Sequence, residues 1–203
     1  MNPNNAPTPL DYLNEIAPAT PKRGLFQFTL RNVIIFASAA ILLVIILAVV
    51  VGAINQSRKT PWETLSVRLG TTATIANDAT KNLKNSQLRS LNSDLKLYLT
   101  NTIRDLDAPL GRSGVATKNI SASITKKESG EAITTRLEDA RLNAKYDSTY
   151  AREMSYLLAT VLSLYQELYA QSGNAETKSF LSGAYDNLLP TQEAFESFST
   201  TNE

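Results

Sequence analysis

"YAREMSYLLATVLSLYQEL", residues 150–168, sets large side chains at Tyr150, Met154, Leu157, Val161, Leu164 and Leu168, a strict alternation of four and three. A helix turns every 3.6 residues, so these positions share one face, whereas a strand would need alternation with a period of two. Upstream, Ile133, Leu137, Ala140 and Ala144 continue the helical spacing from a start near Glu131, with an interruption at Tyr146-Asp147-Ser148, where Asp can cap a fresh helix. Downstream, Gly173-Asn174 closes the helix. A last helix then carries Phe180, Leu181, Ala184, Leu188 and Leu189, and kinks or restarts at Pro190-Thr191 before Phe195 and Phe198.

Two earlier series repeat the pattern. Leu65, Leu69, Thr72, Ala76, Ala79 and Leu83 form one, and Leu88, Leu91, Leu95, Tyr98, Thr102 and Leu106 the other, separated by Asn85-Ser86-Gln87. The first opens at Thr60-Pro61-Trp62-Glu63, which reads as a capping box with proline at the first helical position. The second stops at Asp107-Ala108-Pro109-Leu110-Gly111-Arg112-Ser113-Gly114. The polar stretch from there to Gly130 touches the core only at Val115, Ile120 and Ile124, as a long crossover would. Four amphipathic helices, paired as two hairpins across one long link, predict an all-α chain with an antiparallel four-helix bundle in residues 55–203.

A different composition precedes the bundle. From Val33 to Ile54 the chain reads VIIFASAAILLVIILAVVVGAI without a charge, roughly 33 Å of helix against a hydrocarbon core of about 30 Å. This predicts a single transmembrane helix over residues 32–54 that contacts the lipid bilayer through residues 33–54. The small residues Val51-Gly52-Ala53 suit a signal peptidase, but the apolar run exceeds an ordinary signal-peptide core, so an uncleaved signal anchor is expected. Lys22, Arg23 and Arg31 on one side nearly balance Arg58, Lys59 and Arg68 on the other. The bulk of the C-terminal part sets the expected orientation: a cytoplasmic N-terminus, a cell-membrane location and an extracytoplasmic bundle. In this reading Arg31 and Trp62 mark the membrane interface, with Trp62 equally suited to packing in the bundle.

The chemistry open to the chain is narrow. It has 203 residues, no Cys, no His and a net charge of +1. Thiol nucleophiles, imidazole and thiolate metal sites, Ser-His-Asp relays and disulfides all fall away, and a chain this close to neutrality is poorly suited to nucleic acid. The bundle resembles ferritin-like architecture at the level of fold, yet the di-iron pattern of that architecture needs His. Asp94, Glu138, Asp139, Glu153 and Glu167 fall mostly off the apolar stripes and read as a solvated face. No catalytic residue, metal ligand or cofactor is expected, and the chain reads as a non-enzyme. Tyr146, Tyr150, Tyr156, Tyr165 and Tyr169 cluster in the third region, where Tyr156, Tyr165 and Tyr169 could line a ligand groove or a protein contact.

The N-terminal tail, residues 1–31, has a disordered composition of Asn, Pro, Ala and Thr, broken by one apolar cluster, "PLDYLNEIAP" at Pro9 to Pro18. One or two helical turns capped by Asp11 would bring Leu10, Leu13 and Ile16 together with Tyr12 alongside, a segment suited to docking on a partner. This tail, its Pro-Lys-Arg spacer and the following apolar helix resemble the N-terminus of uncharacterised single-pass envelope proteins from reduced-genome, host-attached candidate-phylum bacteria. The resemblance implies a bacterial membrane protein whose tail is shared among different exteriors, and no enzymatic activity. The expected function is therefore a non-enzymatic interaction or assembly module of the cell envelope, with protein partners on both sides. A membrane-tethered receptor for a small ligand in a groove of the bundle is the alternative.

Overall fold

A computed structural model describes the backbone of residues 30–201 and the side chains of residues 43–48 and 58–201. Among the described residues the chain is all-helical, without a strand. It divides into two compact units, Met1–Val51 and Gly52–Glu203. The tail residues Leu10, Tyr12, Leu13 and Ile16 lie outside the described residues, as does the side chain of Arg31.

The first helix, α1, runs over Leu30–Ala79. In the first unit its described side chains include Leu43, Val44, Ile45, Ile46 and Leu47, each exposed by 53 to 64%. Among the described residues no helix is long and apolar enough to cross a membrane. The expected transmembrane span, signal anchor and single-pass cell-membrane location are corrected by that finding, and with them the cytoplasmic and extracytoplasmic assignments.

The capping box is corrected as well. No helix begins at Thr60, because α1 continues through Pro61 to Ala79. A proline removes one backbone hydrogen bond and crowds the preceding turn, at a cost of about 3 kcal/mol. Burial of Trp62, Leu65, Leu69, Ala76 and Ala79 beyond it offsets that cost, at about 1.5–3 kcal/mol for each large side chain. Pro190 behaves alike: the final helix passes through it without restarting.

Asn85 starts the next helix, α2 (Ser86–Asp105), its side chain accepting from the backbone N–H groups of Gln87 and Leu88. The link that follows is more structured than the sequence implies. It contains α3 (Asp107–Arg112), a 3-10 turn at Thr117–Asn119 and α4 (Ala122–Lys127). Gly114, with φ of 69°, closes α3 as the Val115 N–H bonds back to the Leu110 carbonyl, so the glycine turn is a helix stop rather than a loose loop.

The link is fastened at its far end. Arg68 of α1 makes two bonds, of 2.8 and 2.9 Å, to the Glu128 carboxylate, and the Thr71 hydroxyl donates to the Glu128 carbonyl at 2.6 Å. Gly130 follows with φ of 73°, and a Cβ there would lie 2.6 Å from Thr71 Cγ2. Only glycine combines that left-handed backbone with that approach.

The remaining helices are α5 (Glu131–Leu142), α6 (Tyr146–Gln171) and α7 (Ala175–Thr201). The interruption expected around Tyr146 is present, but Asp147 does not cap its own helix. Its carboxylate accepts instead from the backbone N–H groups of Lys84 and Asn85, tying the α1–α2 turn to the start of α6. The α6 stripe is buried as spaced, and Ala151, Leu158, Leu162 and Tyr165 join it. Its apolar face is that wide because α5 and α7 both pack on it. Glu153, expected on a solvated face, is 7% exposed and held by both ends of the Arg136 guanidinium at 2.7 and 2.8 Å. An ionised carboxylate survives burial when paired in this way.

Candidate functional site

On α2, steps of three and four residues carry Asp94, Leu97, Tyr98, Asn101, Thr102 and Asp105 along one flank. On α7 the same rule aligns Ser179, Phe180, Gly183, Ala184, Asn187 and Thr191. These two flanks face each other across a groove of about 540 Å³. Gly183 and Ala184 hold little side-chain volume, and nothing lies within 4 Å of where a Gly183 Cβ would be. Leu97, 64% exposed, stands at the groove beside the half-buried rings of Tyr98 and Phe180. The lining contains two carboxylates, Asp94 and Asp105, and no Lys or Arg. Arg104 pairs with Asp105 at 2.9 Å, but both side chains are more than half exposed, so water weakens the pair.

Beneath α7 a pair of phenols closes the floor. Tyr98 Oη donates to the Ala184 carbonyl at 2.9 Å and lies 2.9 Å from Tyr165 Oη. A phenol has one proton to give, so Tyr165 donates to Tyr98. Burial pushes both hydroxyls up from the usual tyrosine value, and at Tyr98 the hydrogen bonds to Tyr165 and Thr102 work against the rise. Both rings stay neutral at ordinary pH, and the network locks α2, α6 and α7 together at one level.

A smaller hollow of about 210 Å³ opens between α6 and α7, lined by Tyr165, Gln166, Tyr169, Leu181, Ser182 and Tyr185. It brings two of the three sequence-predicted tyrosines together. Tyr156 is apart from them, 69% exposed and outside this lining. Trp62 is a core residue, 6% exposed. Beside it Glu63 is also buried, one carboxylate oxygen lacking any hydrogen-bond partner, although the sequence assigns it to a helix start.

Sequence reasoning missed Leu97, Phe180, Tyr185 and the two aspartates as groove residues. The signal was an apolar side chain next to the stripe: Leu97 beside Tyr98, and Tyr185 beside Ala184. Among the described residues no group of acidic side chains could hold a metal ion. Compared with known proteins, the chain matches no family model, no curated protein and no solved structure.

Proposed function

We propose that the chain is a non-enzymatic interaction module, in which the C-terminal part of α1 packs with α2, α6 and α7 as an antiparallel four-helix bundle that seats an α-helix of a protein partner. The observation that carries this reading is the groove between α2 and α7, where the exposed Leu97 stands over partly buried Tyr98 and Phe180 between two aspartates. An amphipathic helix laid there would bury apolar side chains against Leu97 and Phe180 and set basic ones near Asp94 and Asp105. Gly183 and Ala184 leave room for close approach of its backbone. The tail cluster of Leu10, Tyr12, Leu13 and Ile16 is a second contact segment in this proposal, separable by deletion of residues 9–18.

A photo-crosslinking residue placed at position 97 and, as a control, at the equally exposed position 142 tests the reading in living cells. The expected result is a discrete adduct from position 97, abolished by Phe180→Ala together with Asp94→Lys and absent from position 142. Equal labelling from both positions would sink the proposal.

A further inference from the structure

The smaller hollow, on the opposite flank of α7, has a chemistry of its own and does not depend on the helix-docking reading. Tyr165 and Tyr169 on α6 are four residues apart, as are Leu181 and Tyr185 on α7, so each pair shares a helix face and the pairs oppose each other. Tyr165 and Leu181, 1% and 0% exposed, form an apolar floor. At the rim the hydroxyls of Tyr169, Tyr185 and Ser182 and the carboxamide of Gln166 have no protein hydrogen-bond partner among the described residues. The lining has no ionised side chain. One cation neighbours a lining residue: Lys178 Nζ lies over the Tyr169 ring, 5.0 Å from its centroid, and among the described residues no carboxylate pairs with it.

The geometry points to a binding site for a small amphiphilic anion, its aromatic body inserted between Tyr169 and Tyr185 and its carboxylate held by Lys178. The phenol ring attracts the ammonium through its quadrupole but carries no net negative charge, so Lys178 stays open to an anion. Phenol faces also draw organic cations in general. Here Lys178 already holds one such face and would repel a second cation, and no carboxylate in the lining offsets that repulsion. A volume of about 210 Å³ lies below the roughly 300–1,000 Å³ of pockets for drug-sized ligands, which limits the guest to a single ring with a short acidic arm.

Phenylacetate, with 2-phenylethylammonium as its charge-reversed counterpart, serves as the probe, titrated into the full chain and followed by chemical-shift changes of the tyrosine rings. A guest of this size binds with a dissociation constant of about 1 mM. Phenylacetate is expected to shift the rings of Tyr165, Tyr169 and Tyr185 at least about tenfold more tightly than the ammonium probe. Lys178→Gln is expected to remove most of that preference and Lys178→Arg to retain it. The comparison of the two probes on the unaltered chain needs no variant, so misfolding of a variant cannot mask the answer. Equal binding of the two probes, a preference unchanged in Lys178→Gln, or no ring shifts at about 20 mM phenylacetate would overturn the assignment.

Discussion

At the scale of single residues, the buried phenols make stability depend on alkaline pH. Burial raises Tyr98, Tyr150 and Tyr165 above the ordinary value of 10.0. The folded state therefore keeps protons that the unfolded state releases near that value. The stability this contributes is fully present below about pH 10 and is lost as pH rises further. Urea midpoints should be level up to about pH 9 and fall above about pH 10. In Tyr98→Phe the decline should be shallower by one ionisation. A decline equally steep in that variant would show that Tyr98 carries none of the alkaline loss.

At the scale of elements, the left-handed residues at the two ends of α5 have opposite tolerances. The α5 helix ends with Ala144 in the left-handed region at φ of 57°, and the Lys145 N–H closes back on the Ala140 carbonyl at 2.8 Å. The same turn at the end of α3 uses Gly114. Ala144→Gly should gain about 0.5–1 kcal/mol, whereas Gly130→Ala should lose about 1–3 kcal/mol to strain and to the contact with Thr71. Thermal denaturation of the two variants checks both signs.

Which elements the sequence discloses follows from the same local physics. The helical stripes are legible because burial acts on side chains at fixed spacing, and all six stripe positions of α6 are buried. The continuity of α1 across Pro61 was not legible, since local rules count the lost hydrogen bond and not the packing beyond it. Asp147 has the composition of a cap, and only tertiary structure shows that it serves residues more than sixty positions away. Half of the smaller hollow's lining lies on α6, where Tyr165 and Tyr169 were visible, whereas the larger groove has no lining residue on α6. The hollow's other half lies on α7 and the groove's lining on α2 and α7, and no single-helix pattern says which face meets which.

At the scale of the whole described unit, α6 and α7 form a hairpin joined by a short loop, while α2 reaches α7 only after the long link. The clamp of Arg68 and Thr71 on Glu128 spans 60 and 57 positions of sequence. The link between α3 and that clamp is largely exposed and carries Lys118. Covalent continuity there is expected to be dispensable once the chain has folded. A cut at Lys118 would yield two complementary pieces whose buried leucines and tyrosines already face each other across the break. Briefly trypsinised protein should run as two bands in denaturing gels yet elute as one particle. The polypeptide would behave as a self-assembled pair of fragments, with the loop between them serving as a tether.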